Sequence, residues 1–429
     1  KDDEAVTEDW QKDANGNYYW LGDDGAMVTS SWVEGSDGYK YFVNANGVRV
    51  TNEWRFMFGM DDEGDEESWF YFGSNGKLYT GKKTINSKVY YFDDEGKMLT
   101  GWVNYDSGSK TASENTAAVS DDTVYLNEDG SRASGWVKLY APEDEDKEDD
   151  EFWYNFKGSG AARMNTKSTI SGKSYCFDAE GKMISGWVDS SNGYLSIEEN
   201  ATASDYSQLL YCGGKDDGAV KKSTWFKFVA PGSDEDDSDA DKFWYYATSN
   251  GTLYVASGSD CYSGNKIKQA GDNEKIGDAL DLMIKKVGSK YYAFNEKAEM
   301  VNGLVVIDYG TGDYNHGKYY FGKSDDGAMK TGSVNIADDD DVTWAYYFST
   351  KAKDGFSRGQ GVTGVQSGKL YNAGMGVGAP EDSKYDIADI VINGATCYFV
   401  VNESGRVMTS TSASGYTADN GNKLIIASG

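Results

Sequence analysis

Along much of this chain, rings occupy both the odd and the even positions of short segments. That pattern belongs to strands packed on two faces, since successive side chains of a strand point to opposite sides. One segment reads Lys83-Thr-Ile-Asn-Ser-Lys-Val-Tyr90-Tyr91-Phe92-Asp-Asp-Glu-Gly96-Lys-Met98-Leu-Thr-Gly101-Trp102. Another reads Thr169-Ile-Ser-Gly-Lys-Ser-Tyr175-Cys176-Phe177-Asp-Ala-Glu-Gly181-Lys-Met183-Ile-Ser-Gly186-Trp187. Each predicts a short strand, a Gly or Ser turn, an aromatic strand and a Gly-centred connector that closes on Met, which is a β-hairpin plus a link to the next. A lone hairpin cannot bury two aromatic faces, so neighbouring hairpins must stack.

The unit recurs about fourteen times, from Tyr18-Tyr19 to Tyr398-Phe399. Every third unit carries an acidic insert before its aromatic strand, at Asp61 to Glu67, Glu143 to Glu151, Asp234 to Asp241 and Asp338 to Asp341. The expected fold is therefore all-β: an elongated β-hairpin solenoid over residues 1–429, a superhelix with about three hairpins per turn and its acidic loops along one edge. Residues 257–281 interrupt the pattern. There Asp272-Asn273 could cap a short helix carrying Ile276 and Leu280, with a strand continuation as the alternative.

Composition narrows the function. With 41 basic against 70 acidic residues the net charge is −29, which opposes binding to nucleic acid or to an anionic membrane. Leu, Ile, Val and Phe make up less than ~20% of the chain, a share that with high charge usually reads as disorder. The 32 Tyr and 12 Trp change that reading, because amphipathic rings can build a core while keeping a polar edge wet. No apolar run is long enough for a membrane-spanning helix, and no export leader is visible at Lys1. The four cysteines lack CxxC spacing and read as buried free thiols.

The Tyr-Tyr-Phe cores, the connectors Gly25-Ala-Met27, Gly96-Lys-Met98, Gly181-Lys-Met183 and Gly327-Ala-Met329, and the Gly-Trp closures at Trp102, Trp136 and Trp187 resemble the cell-wall-binding repeats of Gram-positive bacteria. That family includes choline-binding modules, glucan-binding repeats and clostridial toxin repeats. The resemblance covers roughly residues 7 to 410. It implies a secreted or surface-attached, non-catalytic module whose partner is a bacterial cell-wall polymer or glycan. It also implies aromatic boxes in which two Trp of one hairpin and a Tyr of the next enclose a quaternary ammonium by cation–π attraction. Carried onto this sequence, the boxes are Trp54, Trp69 and Tyr90; Trp136, Trp153 and Tyr175; and Trp225, Trp244 and Tyr291. A fourth would use Trp344, but Val334 stands where its first Trp belongs. Short units such as Lys88-Val-Tyr-Tyr look more like glucan or toxin repeats, and aromatic platforms also suit sugar rings. The ligand thus stays open between the two, and Trp that only seal hairpin junctions are a third reading. A surface adhesin or scaffold that binds a protein, or an anchoring region of a larger secreted enzyme, are the rival functions.

Other candidate chemistry is thin. The acid runs could hold Ca²⁺, which takes six to eight oxygens, but none fits an EF-hand, and solvated loops explain them as well. His316, the only histidine, lies in a turn-like stretch and offers no catalytic triad. Gly374-x-Gly376-x-Gly378 runs into Pro380 and makes a poor phosphate loop. Asn200 and Asn402 fit a glycosylation pattern that means little in a bacterial chain. No catalytic residue, metal ligand or cofactor is assigned.

Overall fold

The computed structural model describes all residues except 1–5, 61–65, 115–117, 145–149, 259–260, 269, 272–275, 311–312, 339 and 427–429. It is all-β, and among the described residues helix is limited to one 3₁₀ turn, Tyr206–Gln208. The centres of the first two acidic inserts and the Asp272-Asn273 cap fall outside the described residues.

Contacts group the chain into two compact units. The first is Lys1–Ser185 with Gly193–Leu195 and Gly213–Ala219; the second is Gly186–Asn192, Ser196–Cys212 and Val220–Gly429. In the first unit seven antiparallel hairpins follow one another: Asp9–Lys12 with Tyr18–Leu21, Ser31–Glu34 with Lys40–Val43, Glu53–Met57 with Ser68–Phe72, Gly81–Ile85 with Lys88–Phe92, Gly101–Asp106 with Thr123–Leu126, Gly135–Leu139 with Phe152–Phe156, and Thr166–Ile170 with Lys173–Phe177.

One repeated bond joins neighbouring hairpins at five junctions. A backbone N–H in the connector after a hairpin donates to a carbonyl near the start of the preceding aromatic strand: Arg49 to Tyr18 (2.8 Å), Leu78 to Lys40 (2.9 Å), Met98 to Trp69 (2.8 Å), Arg132 to Val89 (2.8 Å) and Met183 to Trp153 (2.8 Å). The connector side chain then lies on the glycine of the following connector. Gly130 shows why glycine is needed there: its φ is +75°, and a Cβ would fall inside van der Waals distance of the Met98 sulfur. Nearest-neighbour bonding of this kind is solenoid connectivity.

The core is a series of small aromatic clusters instead of one central mass. Phe70, Phe72, Tyr91, Phe92 and Tyr154 are fully buried in the first unit. Trp32 and Trp102 lock successive hairpins, their indole N–H groups donating to the carbonyls of Phe58 and Tyr140, both at 3.0 Å.

The second unit begins with Gly186–Asp189 paired to Leu209–Cys212, then Thr224–Val229 paired to Lys242–Ala247. Here Trp187 donates to the carbonyl of Val229 at 3.0 Å. A six-stranded sheet follows, built from Tyr262–Ile267, Ile276–Val287, Lys290–Asn295, Met300–Val301, Leu304–Gly310 and Gly317–Tyr320. The proposed short helix is therefore corrected to strand, since Ile276 and Leu280 both lie in the 12-residue strand Ile276–Val287. A spacing of four fits a strand face as well as a helix face. Leu280, Leu282 and Ile284 alternate onto one buried cluster, so the period is two. Gly332–Ala337 with Thr343–Phe348, Gly364–Gln366 with Lys369–Asn372 and Asp386–Ile392 with Ala395–Val401 continue the hairpins. The four cysteines are free thiols, with Cys176 and Cys212 buried.

Candidate ligand-binding clefts

Register explains how two Trp of one hairpin meet. Trp54 pairs across the ladder with Tyr71, and Phe56 with Trp69. Trp54 and Trp69 are thus diagonal neighbours on one face, a separation that large side chains bridge. Their ring centroids lie 6.4 Å apart with planes at 86°. The next hairpin supplies Tyr90, 5.0 Å from Trp54. Both later hairpins repeat this. Trp136 and Trp153 lie 6.4 Å apart at 87°, with Tyr175 at 4.8 Å from Trp136. Trp225 and Trp244 lie 6.5 Å apart at 81°, and the third ring, 4.7 Å from Trp225, is Tyr292.

Tyr292 replaces the expected Tyr291. A shift of one residue moves a side chain to the opposite face of a strand. The carbonyl of Tyr291 instead accepts the Met329 N–H at 2.8 Å, the role that Trp69 plays toward Met98, so Tyr291 belongs to the following junction.

In the first cleft Trp54 is wedged between hairpins, whereas Trp69 lies toward the rim; in the other two clefts both Trp are half-buried. Trp54 touches Trp69, Tyr71, Tyr90 and Phe92, while Trp69 touches Trp54 and Phe56 and is 45% exposed. Perpendicular indoles with one open edge present two π faces to a single small group, a geometry that attracts a cation and also suits an apolar sugar face.

The clefts differ at their rims. Lys138 and Lys227 stand cross-strand from Trp153 and Trp244, where the first cleft has Phe56. An aspartate from a distant loop joins each Lys. Asp216 accepts from the Trp153 indole at 3.3 Å and lies 3.9 Å from Lys138; Asp325 accepts from the Trp244 indole at 2.9 Å and from Lys227 at 2.7 Å. The Lys227 and Trp244 bonds hold the Asp325 carboxyl below its ordinary range. Neither aspartate was among the expected site residues. The shared runs Asp216-Asp217-Gly218 and Asp325-Asp326-Gly327 were the available signal.

Trp344 occupies the rim position of a would-be fourth cleft, with Ile336 opposite it and Val334 opposite Tyr346. Gly271 lies directly on its ring, and its indole N–H donates to Asp338 at 2.9 Å, so protein atoms already cover this ring. Among the described residues, no three carboxylate, His or Cys groups converge as a metal would require. His316 is exposed, 3.9 Å from Asp308, and the Gly374 run leads into the strand Met375–Val377.

Residues 4–55 and 79–111 each match a choline-binding repeat family. These two segments are similar to cell-wall-binding repeats. Glucosyltransferase-S of Streptococcus mutans serotype c is 26% identical over 223 residues, a match that covers 52% of this chain and only 12% of the relative's length. Among solved structures, the choline-binding domain of CbpL from Streptococcus pneumoniae is 19% identical, with 59% of this chain and all of that one covered and a TM-score of 0.35. CbpJ of the same organism is 20% identical, with 79% and 98% covered and a TM-score of 0.39. In this chain the Trp–Trp–Tyr grouping recurs at three hairpin junctions.

Proposed function

We propose that this chain is a non-catalytic binding module that holds a choline-bearing bacterial cell-wall polymer by enclosing quaternary ammonium groups in the three aromatic clefts. The observation that carries this reading is the threefold recurrence of one geometry, with Trp pairs at 6.4, 6.4 and 6.5 Å and a Tyr of the next hairpin at 5.0, 4.8 and 4.7 Å. Rings suffice for such a ligand because a tetra-alkyl cation has no donor to satisfy. Three weak sites on one chain would raise avidity toward a repetitive polymer without tight individual sites. Attachment at a bacterial surface follows from that partner, and no helix among the described residues is long and apolar enough to cross a membrane.

A second reading is glycan binding. The Lys138–Asp216 and Lys227–Asp325 pairs favour it, since they place hydrogen-bonding groups beside an aromatic platform as sugar hydroxyls require. Equilibrium dialysis against choline, with a panel of α- and β-glucans as the second arm, separates the two. The expected result is uptake of three choline molecules per chain accompanied by a change in Trp fluorescence. Glucan uptake without choline uptake would replace the first reading by the second, and silence toward both would leave a scaffold.

A further inference from the structure

The first junction repeats the cleft positions with different residues. Trp10 pairs with Trp20 and Lys12 with Tyr18, so Trp10 and Tyr18 stand on the same diagonal as Trp54 and Trp69. The next hairpin supplies Tyr41, 5.1 Å from Trp10 with planes at 69°, against 5.0 Å and 65° for Tyr90 and Trp54. The connector confirms the equivalence, because the Arg49 N–H donates to the Tyr18 carbonyl as the Met98 N–H donates to that of Trp69, both at 2.8 Å.

This cage is occupied by a cation of the chain's own. The Arg49 guanidinium carbon lies 4.0 Å from the Tyr18 ring centre, 5.1 Å from that of Trp10 and 5.7 Å from that of Tyr41. Its Nε and the Trp10 Nε1 are buried with no hydrogen-bond partner among the described residues. The ring faces therefore compensate that part of the guanidinium in place of acceptors. Lys12 adds a second cation, its ammonium 5.2 Å from the Tyr18 ring centre. At the equivalent connector position the other clefts carry Met98 and Met183, which are neutral.

We propose that Trp10, Tyr18 and Tyr41 form a fourth cation cage of the same class, held shut by Arg49. This rests on the reading that the other three clefts take quaternary ammonium. The tethered guanidinium excludes a free cation in two ways. It fills the space between the rings, and it leaves a permanent like charge there that any arriving cation must displace.

The test substitutes Arg49→Met, the residue found at the open clefts, in the full chain and counts choline by equilibrium dialysis. Wild type is expected to take up three and R49M four, with the added site about threefold to tenfold weaker than the others, since Tyr18 replaces the stronger cation–π ring of a Trp. Adding Trp10→Ala to R49M should return the count to three. Thermal melts establish that each variant folds, and Arg49→Gln provides the same opening with a polar stem should R49M fail to fold. A folded R49M or R49Q that binds no more choline than wild type overturns the proposal. The two readings separate cleanly: a wild type that takes none removes the three-cleft reading, whereas one molecule gained by R49M still supports the fourth cage.

Discussion

Trp69→Ala and Trp54→Ala should have opposite balances of binding and stability loss. Trp54 is wedged among four rings, at 6.4 Å from Trp69, 5.0 Å from Tyr71 and Tyr90, and 5.7 Å from Phe92. Truncating it leaves a cavity at a hairpin junction and should cost about 3 kcal/mol, the lower end for a large aromatic. Trp69 is 45% exposed and, among the described residues, its ring contacts are Trp54 and Phe56. Two such pairs at about 0.5–1.5 kcal/mol each put its loss at about 1–3 kcal/mol, with no buried cavity left behind. Yet it supplies one full wall of the cleft, and losing a desolvated cation–π wall of about 1–2 kcal/mol weakens that site roughly 5- to 30-fold. Urea melts read the first quantity, and choline uptake at fixed concentration reads the second. Trp69→Ala should lower the midpoint less than Trp54→Ala does, while its uptake falls from three sites to two. If it melts as early as Trp54→Ala, or binds as wild type does, the division into wedge and rim is wrong and these rings serve packing alone.

Two further outcomes follow from the turns. Asp93 and Asp178 accept backbone N–H groups in their connectors, at 2.7 Å from Lys97 and 2.8 Å from Lys182, and burial pushes both carboxyls above the ordinary 3.8. Their charged form therefore costs the folded state at neutral pH, and the cost fades as pH falls through the raised pKa. Asn44 and Asn127 head the same turn elsewhere without a charge, so Asp93→Asn and Asp178→Asn should each stabilise by about 0.5 kcal/mol at pH 7. Denaturant melts at pH 7 and below pH 4 should show that gain disappearing in acid. Gly232 has a φ of +81°, and a Cβ there would lie inside contact distance of the Ala201 carbonyl oxygen, which belongs to backbone and cannot rotate away. Gly232→Ala should cost about 2–4 kcal/mol from left-handed strain plus overpacking, seen as a lower thermal midpoint.

Hairpins were legible in the sequence because each is written locally: a turn signal, rings on both faces and a Gly-centred connector lie within some twenty residues. The first two clefts were legible for the same reason, since the Tyr sits in the hairpin immediately after the Trp pair. The third failed by one residue. Between Trp244 and Tyr292 lies the irregular stretch that forms new strands of a six-stranded sheet, so counting forward lost the register that places Tyr292 on the cleft face. Asp216 and Asp325 lay out of reach of local reading, because they bond Trp153 and Trp244 from 63 and 81 residues away. Arg49 was hidden for another reason. The eye reads Gly-x-Met and its variants as connectors, and nothing local shows that a connector side chain can fold back over rings of the preceding hairpin.

The indole locks of Trp32, Trp102 and Trp187 and the clefts around Trp54, Trp136 and Trp225 alternate in fixed order along the chain. A gene duplication that copies three hairpins therefore delivers one complete lock and one complete cleft, whereas copying one or two leaves half of a junction facing the wrong neighbour. Length and the number of clefts are then inherited together, and whole triplets can be added or dropped while the remaining ones keep their architecture.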